Sequence, residues 1–207
     1  MPFTDAARNE MLDALTDATP ALSPITHCSL HTADPTAGAN EVTGGGPAYA
    51  RIPVTFANAG SGAALQNGTD PVFDVPAATT VVAVGYWDDV SAGEFKGWSP
   101  LNGGTVFPFY AQNAGDVFSV DAHGYSNGDQ VYFHAVTGSS LPTGVSAGTR
   151  YYIIGVSGDT FQVSLTSGGS AVVLTSDGAG MVQKVIPETF GAQGTLTVTD
   201  ATLRLTA

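Results

Sequence analysis

Positive charge is what this 207-residue sequence has least of. Arg8, Arg51, Lys96, Arg150, Lys184 and Arg204 stand alone against 18 carboxylates, and the net charge is −12 at pH 7. Neutralising a phosphate backbone takes clustered Lys and Arg, and these six are scattered, so nucleic acid is not an expected partner. An anionic membrane surface is disfavoured for the same reason. The single cysteine, Cys28, leaves no partner for an intramolecular disulfide. Stability must then come from core burial, oligomerisation or both. Apolar runs end at about eight residues, short of the roughly 20 that cross a bilayer, so no membrane insertion is expected. The opening Met-Pro-Phe-Thr-Asp lacks a basic region followed by an apolar run. The expectation is a protein made in a cytoplasm without an ordinary signal peptide.

Glycine and proline are plentiful, at 26 and 12 residues, and Ser, Thr and Ala fill much of the remainder. Apolar residues form short groups between these interruptions, which favours many short strands over long helices. Charged residues make up only 12% of the chain, about half the usual share. A surface of Thr, Ser, Asn and Gly suits contact with other proteins or with sugars.

One helix is expected, at the start. Thr4 can cap it, Asp5 complements its dipole, and Ala7, Met11, Leu12 and Leu15 recur at helical spacing before Thr19-Pro20 ends it. So short a helix is marginal alone, and the Met11, Leu12 and Leu15 stripe is expected to dock on a sheet or another subunit. Strands are expected at 25–32, 49–57, 72–75, 80–87, 95–98 and 105–111. Pro53 argues for an edge strand, because it cannot donate to a ladder. The run 80–87 is the most hydrophobic and reads as central.

From Asp116 to Val185 the chain reads as a unit of its own. Its strands are expected at 117–120, 130–135, 149–156, 160–165, 171–174 and 181–185, with turns at Asn127-Gly128-Asp129 and Gly158-Asp159. The tail from Pro187 alternates again at 195–199 and 202–206 but is too short for a core of its own. It is therefore expected to complete the sheet begun before residue 113. The fold class is mainly β: a jelly-roll-like β-sandwich made of 1–113 and 187–207, with one short N-terminal helix. Residues 116–185 form an inserted small β-barrel or β-sandwich, as tolerated where the ends of an insertion lie close together.

Candidate chemistry is thin. His27, Cys28 and His31 sit together, but on a strand Cys28 points away from both histidines. The histidines lie roughly 13 Å apart at 3.3 Å per residue. A buried structural Cys with histidines on a polar face is the simpler reading. Asp88-Asp89 follows a strand and reads as a turn. No calcium loop, nucleophile elbow, phosphate loop or zinc helix motif is present. No catalytic residue, metal site or cofactor is expected, and the chain is not expected to be an enzyme. The aromatics offer more. Trp87, Trp98, Tyr125 and Tyr151 could stack on sugar rings or anchor an interface. Alternatively they plug the ends of the β-domains, the commoner place for large rings.

Several segments carry a resemblance. Ser29-Leu30-His31-Thr32-Ala33-Asp34-Pro35, Glu41-Val42, Gly44-Gly45 and Tyr49-Ala50-Arg51 are among them. So are Phe73-Asp74-Val75-Pro76-Ala77, Val84-Gly85-Tyr86-Trp87-Asp88 and the closing Thr189-Phe190-Gly191-Ala192-Gln193-Gly194-Thr195. Together they resemble small minor tail or tail-fibre-like virion proteins of tailed bacteriophages, notably those of actinobacterial phages. The middle segments His123–Val131, Leu141–Gly144, Thr149–Tyr152 and Asp159–Ser164 are similar to a small β-module that recurs in phage tail proteins. The resemblance implies a structural virion protein at the tail or particle surface, assembled in the host cytoplasm. It would bind other virion proteins and copies of itself, in a trimer or a ring, and a host cell-surface glycan could be a further partner. A decoration protein on the capsid and a carbohydrate-binding receptor reader are the alternatives.

Overall fold

The computed structural model describes residues 23–57, 63–136, 138–199 and 202–204, and for 63–67 and 202–204 only the backbone. The expected helix and its Met11, Leu12 and Leu15 stripe lie outside the described residues. The chain is mainly β and divides into two compact units. The first holds the described residues up to Ser99 and those from Pro187 onward, and the second is Pro100–Ile186.

In the first unit, β1 (His27–His31), β2 (Ile52–Pro53), β7 (Ala83–Trp87) and β8 (Phe95–Pro100) form one sheet in the order β2-β1-β7-β8. Pro53 does lie in an edge strand, where its missing N–H costs no ladder bond. β7 is interior and buried along its whole length, as its run of apolar residues requires. The expected continuous strand 80–87 is broken. Val82 bonds through its N–H to His31 O, and β6 (Thr79–Val81) turns away to a different partner. β3 (Thr55–Phe56) and β4 (Ala63–Asn67), the latter unforeseen in the sequence, pair with each other. Phe56 meets Tyr86 edge to face at 6.1 Å, and Tyr49 stacks on Phe73 of β5 (Val72–Val75) at 6.0 Å. The first contact joins β3 to the four-stranded sheet, and the second packs the loop before β2 on β5.

The C-terminal strands belong to this unit. β15 (Glu188–Phe190) pairs with β6, β16 (Gly194–Thr197) with β5, and β17 (Thr202–Arg204) with β4.

The second unit is a closed six-stranded barrel in the order β10-β13-β12-β11-β14-β9. Its strands are β9 (Val106–Gln112), β10 (Val117–Ser119), β11 (Gln130–His134), β12 (Arg150–Ser157), β13 (Thr160–Ser164) and β14 (Gly178–Val185). An eight-stranded barrel is just wide enough for side chains to fill, so six strands enclose a packed core. Phe118 lies 4.8 Å from Phe133 and 5.7 Å from Phe161, with Ile153, Val131 and Val182 buried around them. Each such side chain contributes about 1.5–3 kcal/mol of burial. Both expected turns are present. Gly158-Asp159 joins β12 to β13 with Gly158 at φ +58°, and Gly128 takes φ +94° before β11.

The strand expected at 105–111 corrects the boundary set at 113. As β9 it pairs with β10 and β14, so it is a barrel stave and the division falls after Ser99. Its alternation is the same whichever sheet it joins, and only its partners decide the matter. The strand expected at 171–174 is absent. Val172 makes a single backbone bond to Val163 O, and the segment is otherwise irregular.

Candidate functional site

The segments that carry the family resemblance converge on one polar network in the first unit. It begins on β1, where alternation turns Ser29 and His31 to the face opposite Cys28 and Leu30. That face was expected to be a polar one, and both Ser29 and His31 are fully buried on it. Buried polar groups need partners, and here each atom finds one. The Trp87 indole N–H donates to Ser29 Oγ at 2.8 Å. Ser29 Oγ lies 2.7 Å from His31 Nε2, and His31 Nδ1 lies 2.7 Å from Ala39 O. A carbonyl only accepts, so Nδ1 carries the proton and Nε2 accepts from the Ser29 hydroxyl. Every donor and acceptor role in the chain Trp87–Ser29–His31–Ala39 is thereby determined. Burial pushes His31 down to about 4, against the smaller opposing pull of Ala39 O and Glu41. It is a neutral histidine at ordinary pH.

A second arm of the network crosses the loop from Thr32 to Arg51. The Tyr49 hydroxyl accepts from Leu30 N–H at 2.8 Å and donates to Glu41 at 3.3 Å. Arg51 meets the Glu41 carboxylate through Nε at 3.0 Å and through its terminal nitrogen at 2.9 Å, a two-point pairing that only a guanidinium makes. Its other terminal nitrogen donates to Asp89 O and to Ala92 O in the β7–β8 turn. Its flat face lies 3.4 Å from the centre of the Trp87 ring. One cation thus joins a loop carboxylate, a turn and an indole. Gln193 adds a third fastening. It accepts from Gly46 N–H at 2.8 Å and donates to Pro47 O at 2.9 Å, tying the C-terminal segment to the Gly-rich loop.

Chemically, this is a lock. The Ser29–His31 pair has the atoms of a nucleophile and a base, but neither is exposed to solvent. The Cys28 thiol is pushed up to about 12 by burial, so it is not a thiolate at ordinary pH. Among the described residues no group of three or more His, Cys, Asp or Glu could hold a metal ion.

The four rings named as possible contact residues are all interior: Trp87 is 8% exposed, Trp98 6%, Tyr125 7% and Tyr151 3%. Trp87 belongs to the lock, packing on Phe95 at 5.0 Å. Tyr125 sits against His123 and Phe161, and the Tyr151 hydroxyl accepts from Ser146 N–H. They plug the units and do not present flat faces to a sugar. The large apolar side chains that are exposed include Tyr110, Leu165 and Val173 on the barrel. Glu41, Tyr49, Arg51 and Gln193 had been given no individual role. A usable signal was present for Arg51: in a chain with six cations, one placed amid short apolar strands must have a partner.

The network fastens the loop from Thr32 to Arg51 and the β7–β8 turn to the sheet of the first unit. Residues 2–126 match the family model of the podophage GP4 fiber I protein gp80, and the chain belongs to that family. It is accordingly a tail-associated structural protein of a phage particle, in a family that points away from catalysis and toward contact with other virion proteins. Comparison with curated proteins finds no match. Among the described residues no helix is long and apolar enough to cross a membrane.

Proposed function

We propose that the chain is a fibre, fibre-adaptor or minor tail protein that works by protein–protein assembly. The first unit docks on the particle and on copies of itself, and the Pro100–Ile186 barrel is a knob that projects from the particle. The observation that carries this reading is the family match, which covers β1 to β8 together with β9 and β10. The lock supports it, because a docking unit gains from loops held in one conformation: the entropy of ordering them is already spent before association. The projecting role is given to the barrel because segments such as His123–Val131 and Asp159–Ser164 resemble, in sequence, a small β-module of phage tail proteins. Host-surface contact, where it occurs, belongs to exposed barrel side chains such as Tyr110, Leu165 and Val173.

Gold-conjugated antibodies raised against the barrel, applied to purified particles and viewed by negative-stain microscopy, test the assignment. Label confined to the tail is expected. Label spread over the shell would assign the chain to capsid decoration instead.

A further inference from the structure

Lys96 is the second residue of β8, and only 2% of its surface is exposed. A lysine is almost never buried so deeply without partners, and two carboxylates meet this one. Its Nζ lies 2.9 Å from Glu94 Oε2 and 3.6 Å from Asp88 Oδ2. The two carboxylates are not equivalent. Asp88 is held by side chain and backbone: its Oδ1 accepts from the Glu94 N–H at 2.6 Å, and its carbonyl accepts from the Thr26 hydroxyl at 2.8 Å. Gly93 takes φ +78°, and a Cβ there would collide with Asp88 Oδ1, so the turn closes tightly over that oxygen. Glu94 is held less. Its Oε2 takes the amine, and its Oε1 is buried with no hydrogen-bond partner.

A simple ion pair accounts poorly for this arrangement. Charge taken out of water is costly unless the remaining oxygens are satisfied, and Glu94 Oε1 is not. The three groups do fit a condensation. An amide between two side chains needs an amine, a carboxyl group to receive it and a second carboxylate to carry the proton. Here the amine touches the carrier and lies next to the receiver. Away from water an ammonium and a carboxylate are favoured to become neutral, which is the form that condenses.

We propose that Lys96 and Asp88 join in an intramolecular isopeptide bond, with Glu94 as the proton carrier. Glu94 Oε2 takes a proton from Nζ and frees its lone pair. Nζ bonds to Asp88 Cγ, and the charge developing on Oδ1 is met by the Glu94 N–H already aimed at it. The Cγ–Oδ2 bond then breaks. Oδ2 leaves as water with two protons that began on Nζ, one of them delivered by Glu94, which returns to its carboxylate. One ammonium and one carboxylate become one amide and one water, and no oxidant or reductant is consumed. The bond staples the end of β7 to the start of β8, in a chain whose single cysteine allows no internal disulfide.

Mass spectrometry of the full chain, denatured and digested with trypsin, tests the bond. It removes one water, about 18 Da, and blocks cleavage after Lys96. The peptide from Ile52 to Arg150 is therefore expected uncut and lighter by that amount. Lys96→Arg cannot condense, so cleavage at position 96 and the full mass should both return. Glu94→Gln, with its fold checked by circular dichroism, is expected unlinked. A wild-type chain of full mass that is cleaved after Lys96 overturns the bond without recourse to any variant. A loss of water that persists in Lys96→Arg lies elsewhere in the chain and overturns it equally. Linkage formed to the same extent in Glu94→Gln overturns the role given to Glu94.

Discussion

His31 shows how one residue couples the fold to pH. Its ordinary value is 6.5, and burial in the folded protein lowers it to about 4. The unfolded chain therefore binds a proton that the folded chain refuses. The stabilisation is fully present above pH 6.5, falls as the pH drops through the interval down to about 4, and changes no further below that. The whole effect is roughly 3 kcal/mol at 1.36 kcal/mol per unit. Urea unfolding at pH 7.5 and pH 4.5 measures it, and His31→Gln is expected to flatten the difference. His134, also lowered to about 4 by burial, adds a similar slope in the barrel and remains as an internal reference. An unchanged pH slope in His31→Gln would show that His31 is not the group responsible. Gly85 completes the picture on the neighbouring strand. A Cβ there would collide with His31, Ser29 and Phe95, so the backbone itself leaves room for the imidazole.

Strands in this protein are short, and each depends on partners far away in sequence. β16 illustrates this. Leu196 is nearly completely buried and faces Phe73 in register, so one side chain anchors a strand whose other residues look outward. Leu196→Ala is expected to remove about 3 kcal/mol from the first unit by loss of transfer energy and creation of a cavity. The barrel should be unaffected. Calorimetry reads the outcome as a drop in one unfolding transition with the other left in place, and a parallel drop in both would contradict the division into units. The alternation of 105–111 belongs at this scale too. It identifies a strand correctly but carries no information about which sheet the strand joins.

The whole molecule is one chain that builds a barrel between two halves of another domain. Entry and exit meet: Ile186 N–H bonds to Leu101 O, and the Asn102 side chain donates to Ile186 O at 3.4 Å. We expect excised Pro100–Ile186 to fold alone, with cooperative urea unfolding and the near-ultraviolet dichroism of a packed aromatic core. A featureless near-ultraviolet spectrum would mean that the barrel needs the rest of the chain. At this scale the acidic balance also finds its context. Arg51 pairs with Glu41, Lys96 with Asp88 and Glu94, and Lys184 with Asp129.

The sequence by itself determined the class of fold, the turns at Asn127-Gly128 and Gly158-Asp159, the edge position of Pro53, and the family, because alternation, turn chemistry and missing donors are local properties. Only the tertiary structure decided that Trp87, Trp98, Tyr125 and Tyr151 are interior and that Ser29 and His31 are buried. It alone showed that Arg51 clamps Glu41 and that β9 belongs to the barrel. A strand has two faces and two edges, and its own residues say that the faces differ. What covers each face, and which strand lies along each edge, is settled by residues dozens of positions away.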